Sequence, residues 1–386
     1  MVQSPRTGRG PLAGVRVLDL SGLGPAPFAT MMLADFGASV LSVRRPDPLP
    51  FDPSLGMSRG KEAIGLDLRS APGQATARRL SESVDILVEG FRPGVMERLG
   101  LGPADLMAGN PGLIYARLTG WGQDGPYARR AGHDINYLAI SGALNTIGED
   151  RPTAPPGLLG DLANGSYTMM IGVLLALVER QRTGRGQVVD AAIVDGASYM
   201  LTAMFGELEL GLWDGDPEHA MLGGKAPFYG TYRCADGKWF SAGAIEAKFY
   251  AAMLTILGLD DVDPSAEAQM DRRQWPALQA RVAAAFLTRP QAEWTRLFGA
   301  VDSCGAPVLA VNELAADPHN AARGTVTVDS AGVLTAAPAP RLSAHPDLVT
   351  HINPRSNRPA GDILADAGFA PEDIETLIAQ KAVWSL

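Results

Sequence analysis

The sequence predicts an α/β protein in which a large domain with a parallel sheet is joined to a smaller α+β domain. Three observations carry this expectation. Strand and helix patterns alternate through the first half of the chain, the texture changes beyond Gly211, and 386 residues exceed what one hydrophobic core holds.

The elements follow in order. Residues 1–11, rich in Arg, Gly and Pro, read as a loose tail. Val15–Leu20 is a short strand, Ser21–Pro27 a Gly/Pro loop, and Phe28–Phe36 has helical spacing that stops at Gly37, a suitable residue just past a helix end. Ser39–Val43 is a second strand, and together these make a βαβ unit. Strands are expected at Ile64–Leu68, Asp85–Glu89 and Leu113–Leu118, with a helix at Gly73–Ser83. A long helix is expected over Asp161–Arg182, with Asp161 as its N-cap or as a first-turn carboxylate. A strand over Gly186–Ala192 then runs into a helix from Val194. Tyr229–Ala242 reads as an antiparallel hairpin turned at Asp236-Gly237, and helices follow at Lys248–Leu257, Trp275–Leu287 and Gln291–Gly299. The expected organisation is therefore 1–210 for the first part of the large domain, 211–228 as connector, 229–325 as the small domain, and 326–386 as an extended return with C-terminal helices.

Composition excludes several classes. A net charge of −9 without a sustained Lys/Arg run argues against a nucleic-acid partner. Cys234 and Cys304 belong to no Cys-x-x-Cys pair, so neither a disulfide framework nor a metal site is expected. The first residues lack the apolar region of a secretory signal, and the run Tyr167–Val178 is too short to cross a bilayer. Trp384-Ser385-Leu386 is not a peroxisomal address, and a cytoplasmic location without a membrane partner is expected.

Gly22-x-Gly24-x-x-Pro27 stands where a dinucleotide-binding loop would stand, but Pro27 replaces the third glycine and a tight βα turn explains it better. Arg45, Arg69, Arg92 and Arg98 share one topological position, at or just beyond strand C-termini. One such arginine is ordinarily a solvated surface residue. Four in successive connections suit a ligand carrying several phosphates, because the guanidinium fork matches phosphate.

His133 lies in Ala131-Gly132-His133-Asp134, after the loop Gly120-Trp121-Gly122-Gln123, whereas His219, His319, His345 and His351 fall in polar or Pro-rich stretches. An imidazole in a glycine-lightened loop suits proton transfer near neutral pH, although an isolated histidine is more often structural. Asp161 follows Pro155-Pro156-Gly157-Leu158-Leu159-Gly160, a loop that lets a ligand approach closely. Glu246, in Gly243-Ala244-Ile245-Glu246, reads alone as a capping carboxylate. No Gly-x-Ser-x-Gly, His-Glu-x-x-His or Walker loop occurs.

Taken together, these segments resemble the 2-methylacyl-CoA racemases of the family III CoA-transferase superfamily. The resemblance runs from Pro11 to Trp384 and includes Asp67-Leu68-Arg69, Glu89-Gly90-Phe91-Arg92-Pro93-Gly94-Val95 and Gly184-Arg185-Gly186-Gln187-Val188-Val189-Asp190. It implies a Rossmann-like large domain built from both chain ends, and two chains interlocked as a homodimer. It implies an acyl-CoA thioester as substrate, with no cofactor beyond the CoA that the substrate carries. By the same resemblance Arg45 lies near the adenosine end of CoA, with Leu66, Asp67, Leu68 and Arg69 around its nucleotide. Gly90, Phe91, Arg92 and Arg98 line the phosphate and pantetheine path, and Gly132 and Tyr137 lie near the thioester. His133 and Asp161 would transfer protons, with Glu246 reaching in from the partner subunit to orient His133. Transferases of the superfamily use the equivalent aspartate as a nucleophile, and there the position of His133 is usually aromatic. A CoA transferase acting through Asp161, or a non-catalytic CoA-binding protein, is the competing expectation.

Overall fold

A computed structural model describes residues 9–47, 56–148, 151–349, 354, 356 and 358–386; most of the expected N-terminal tail, and His351, lie outside the described residues. The chain divides into two compact units. The first comprises residues 1–143, 154–200 and 335–386, and the second comprises 144–153 and 201–334. The expected 211–228 connector thus falls inside the second unit, where Ala226 and Phe228 are fully buried in its core. Its glycines suggest a linker, but the apolar residues between them decide its placement.

In the first unit, β1 (Arg16–Asp19), α1 (Ala26–Asp35), β2 (Ser39–Arg44), β3 (Glu62–Leu66), α2 (Ala71–Ser81) and β4 (Ile86–Glu89) come first. They are followed by α3 (Val95–Arg98), α4 (Pro103–Gly109), β5 (Ile114–Thr119) and α5 (Asp134–Ser141). A π-helical segment, Leu158–Tyr167, leads into α6 (Thr168–Thr183), β6 (Val188–Ala192) and α7 (Ile193–Met200). Strands β3-β2-β1-β4-β5-β6 pair in parallel in that order, and Val383–Trp384 adds an antiparallel strand beside β3.

Strands β1, β3, β4 and β5 are largely buried on both faces, as a parallel sheet covered by helices requires. Val17, Val40, Ile86, Val88 and Ile114 face α1 and α6, while Leu18, Ile64, Leu87 and Tyr115 face α2, α4 and the segment around Ile363 and Leu364. Met169 and Met170 pack into the first of these layers at no more than 5% exposure. The apolar run that is too short on its own to cross a bilayer belongs to a 26-residue helical stretch, Leu158–Thr183. One face of that stretch is committed to the sheet through Met169, Met170, Val173 and Ala176.

Crossovers reverse direction between β1 and β4, and the crevice that opens there at the strand C-termini is where ligands bind in open sheets of this kind. Buried charge fixes the loops around that crevice. Asp19, at the end of β1, is fully buried and accepts hydrogen bonds from the Ser21 N–H (3.0 Å) and the Thr30 hydroxyl (2.7 Å). Lys61, 1% exposed, donates to the Pro27 carbonyl (2.7 Å) and the Thr30 Oγ1 (2.6 Å), and stands 3.3 Å from Asp19 Oδ2. Burial pushes the Lys61 ammonium below its ordinary value, and Asp19 opposes that shift.

The second unit contains α8 (Thr202–Glu209), then β7 (Tyr229–Arg233) and β8 (Trp239–Gly243), an antiparallel hairpin turned through Gly237 at φ +80°. Helices α9 (Ala247–Leu257), α10 (Ala266–Gln269), α11 (Trp275–Phe286) and α12 (Gln291–Gly299) follow, and β9 (Gly305–Val308) completes a three-stranded sheet. Aromatic rings form its core: Phe286 stacks on Tyr232 at 5.0 Å between centroids, and Phe240 and Phe298 meet at 4.9 Å.

Replacing Lys61 with Met should destabilise the protein by about 3–5 kcal/mol, because Asp19 would remain buried without its cation. Urea unfolding of the Lys61→Met variant, alone and combined with Asp19→Asn, checks this, and the double variant should recover part of the loss.

Candidate active site

A cavity of about 310 Å³ opens at this crevice. Its walls come from the connections after four strands: Leu23, Gly24 and Pro25 after β1, Gly90–Pro93 after β4, Gly120 and Trp121 after β5, and Ile193 after β6. His133 and Asp161 both line it, as do Gly132 and Tyr137. Two groups separated by 28 positions are therefore brought to one space.

The His133 loop is held by aromatic packing. The ring of Tyr137 fills the space where side chains at Gly120 and Gly132 would stand, so both positions require glycine on grounds of room. The Tyr137 hydroxyl donates to the Gly132 carbonyl, and Trp121 meets Tyr137 edge-on at 4.7 Å. His133 itself is the N-cap residue of α5, and its N–H donates to the Asn136 side chain at 3.1 Å. Its ring is solvent-exposed.

The expected α-helix beginning at Asp161 is corrected in kind and in start: the segment is π-helical and begins at Leu158, after Gly157 in the left-handed region at φ +62°. Asp161 is a first-turn carboxylate and not the N-cap. Leu162 N–H reaches the Gly157 carbonyl, and the Asn164 side chain donates to the Leu159 carbonyl at 2.8 Å. Gly160, Asn164, Gly165 and Ser166 are poor α-helix formers, and side-chain bonds such as that of Asn164 stabilise a widened turn. Gly165 lets this turn pack against Pro25 and Ile193, and the fully buried Ser166 hydroxyl lies within 2.8 Å of the Pro25 carbonyl.

Burial raises the Asp161 carboxyl to about 6, the negative charge of Asp134 adds to this, and a charged His133 works in the opposite direction. A carboxyl in that range can hold or release a proton near neutral pH. The Asp161 N–H donates to Asp134 Oδ1 at 2.7 Å.

Phe91 and Arg92 line the cavity from the β4 loop, and the Phe91 N–H donates to Glu89 at 2.7 Å. Glu89 is fully buried against Arg117 (2.7 Å), whose other side bonds Glu97 at 2.7 Å. The remaining expected ligand contacts stand off the cavity wall. Arg45 is exposed after β2. Leu66 points into the core at 1% exposure, so only its backbone could touch a ligand. Leu68 packs partly against the same core. Exposed Arg69 reaches both Asp67 and Asp47 at 3.0 Å, and Arg98 ends α3 beside Gly94.

Glu246 belongs to the second unit and heads α9, where its carboxylate takes no capping role. The backbone before it is fixed by the buried amide of Gln269, which donates to the Ala244 and Ile245 carbonyls at 3.1 and 2.9 Å. Sequence reasoning passed over Trp121, Arg130, Pro25 and Ile193 as wall residues. Only Trp121, bracketed by two glycines, carried a local signal.

A carboxyl raised in the folded state costs stability wherever the unfolded chain would ionise and the native protein resists. That cost is absent below the unfolded value near 4 and complete above about 6. Asp161→Asn should therefore be more stable than the parent at pH 7 by about 1–2 kcal/mol, allowing for partial exposure. The difference should close as pH falls from 6 to 4, measured by urea midpoints across that range.

Comparison with known proteins gives the family. The description "CoA-transferase family III" matches residues 12–360. The chain is 42% identical over 377 residues to human alpha-methylacyl-CoA racemase, covering 97% of this chain and 98% of that protein. It is 33% identical to a succinyl-CoA–D-citramalate CoA-transferase of Chloroflexus aurantiacus, covering 97% and 98%. Among solved structures, a CaiB/BaiF family protein from Brucella suis superposes with a TM-score of 0.78 at 26% identity, over 93% of this chain and all of that one. With its parallel sheet, its crevice at the strand ends and these likenesses along nearly its whole length, the chain belongs to CoA-transferase family III.

Proposed function

We propose that this chain interconverts the 2R and 2S forms of 2-methylacyl-CoA thioesters. The observation that carries the reading is the meeting of His133 and an Asp161 carboxyl raised to about 6 at one cavity. A thioester carbonyl acidifies the hydrogen on the adjacent carbon. One of the two groups takes that proton, the electron pair passes into the carbonyl to give an enolate, and the other group returns a proton to the opposite face. The Gly132 N–H would donate to the enolate oxygen, since the N–H groups of His133 and Asp161 go to Asn136 and Asp134. No metal or redox group enters this scheme, and CoA arrives as part of the substrate.

Arg92, on the cavity wall, would meet the phosphate and pantetheine portion, with Arg45, Asp67, Arg69 and Arg98 along the outer path. Glu246, at the head of α9 and following backbone that Gln269 fixes, would orient His133 from a partner subunit. An exposed apolar stripe supports association: Ile171, Leu174, Leu175 and Val178 fall at helical spacing on α6 and are 42–64% exposed. Coenzyme A transfer with Asp161 as nucleophile is the second reading, favoured by the transferase relatives at about one-third identity.

Incubating one 2-methylacyl-CoA enantiomer in D₂O without an acceptor acid should give deuterium at C2 together with epimerisation. Transfer of CoA to an added free acid with a trapped Asp161 adduct, and no C2 exchange when the acid is left out, would decide for the transferase. His133→Ala should fold normally and lose on the order of 10²–10⁴-fold in exchange rate. Leu175→Glu, placing charge in the exposed stripe, should shift the protein from dimer toward monomer in sedimentation.

A further inference from the structure

We propose that Asp134 is the positioning residue of Asp161: its carboxylate fixes the first turn of the π-helical segment and sets a second negative charge beside the proton-transfer group. This rests on the reading of Asp161 as that group.

The geometry is specific. Asp134 is the first residue of α5, and the ordinary account of an acidic residue there is a favourable interaction with the positive end of its own helix. Its carboxylate instead leaves α5 and reaches the neighbouring segment, where Oδ1 accepts the Asp161 N–H at 2.7 Å. That N–H lies in the first turn of the π-helical segment, where backbone donors have no partner within the helix. Glycine at position 160 leaves room for the contact: a side chain there would start on top of the Asp134 carboxylate and push it aside.

The same carboxylate fixes where the Asp161 carboxyl points and biases its protonation. The other titratable or charged groups on the surrounding walls are His133 and Tyr137 from the α5 loop, and Arg92 and Arg130 from the cavity rim. Other packing on this segment includes Pro25 and Ile193 against Gly165, and Gly196 of α7 against Asn164 and Thr168; Asp195 of α7 and Asp190 of β6 belong to neighbouring elements. Asp134 is therefore the like charge next to Asp161, and it acts with burial to raise that carboxyl. One side chain thus links the loop of the imidazole to the turn of the carboxyl, since His133 and Asp134 are adjacent in the chain.

The test separates charge from clamp. Asp134→Asn keeps an oxygen acceptor and removes the charge, Asp134→Ala removes both, and Gly160→Ala displaces the carboxylate without altering Asp134. In ¹³C-aspartate-labelled protein, the Asp161 carboxyl signal, assigned by its loss in Asp161→Asn, should titrate about 1 pH unit lower in Asp134→Asn than in the parent. Gly160→Ala should move it in the same direction. The pH limb of C2 exchange on a 2-methylacyl-CoA should shift down with it. Asp134→Ala should lose on the order of 10²-fold in kcat with KM little changed, because the carboxyl would be misplaced and the CoA contacts would not. A merely structural Asp134 would leave the Asp161 titration where it stands, and an unchanged titration in Asp134→Asn overturns the proposal. An Asp134→Ala variant with parental kcat overturns the clamp. Should the parent protein exchange no C2 hydrogen, the racemase reading fails, while the carboxyl titration still decides the part played by Asp134.

Discussion

Carboxylates buried at the ends of parallel strands are the constraint on which the site depends. Asp19 closes β1 and Glu89 closes β4, and both are fully withdrawn from water. Each is affordable only because it is saturated: Asp19 by Ser21, Thr30 and Lys61, Glu89 by Arg117 and the Phe91 N–H. The partners they recruit lie in the next loop or across the sheet, so each ion cluster defines a loop trajectory. Those trajectories make the cavity wall, through Leu23–Pro25 on one side and Gly90–Pro93 on the other. A sheet held by apolar packing alone would leave these loops without a fixed course.

The π-helical segment extends the same logic. Its widened ladder leaves carbonyls that Asn164 satisfies from within, and Ser166 ties the segment to the first βα loop through Pro25. Asp161 is thereby held at a place where burial and a neighbouring negative charge raise its proton affinity, while the histidine loop stays open to solvent. The two groups differ in environment: the carboxyl is tuned upward by withdrawal from water, and the imidazole lies in an exposed loop.

Much of this was legible in the chain. Short apolar runs bounded by turn residues located β1 to β6 within a residue or two, and Asp236-Gly237 marked the hairpin turn. His133 and Asp161 stood out by their glycine neighbours. The π-helical start at Leu158 was not legible, since it depends on Gly165 meeting Pro25 and Ile193 from distant elements. Nor was the membership of 211–228 in the second unit, where scattered glycines mask Phe228 and Ala226. Asp134 read as a flank of the histidine, because its partner, the Asp161 N–H, is 27 positions away.

The strand Val383–Trp384 carries a consequence for how the protein is made. Its indole lies over Gly65, where any side chain would collide with the ring, and its pairing covers the open margin of β3. The first unit therefore recruits residues 335–386 only after the whole second unit has been translated. Until then the β3 margin of a nascent chain would lack that covering strand, and an unpaired strand edge is a template for pairing with neighbouring chains. Slow elongation through the second unit lengthens that exposure, so the yield of native protein in a cell should depend on translation speed and on chaperone supply as much as on the stability of the finished fold.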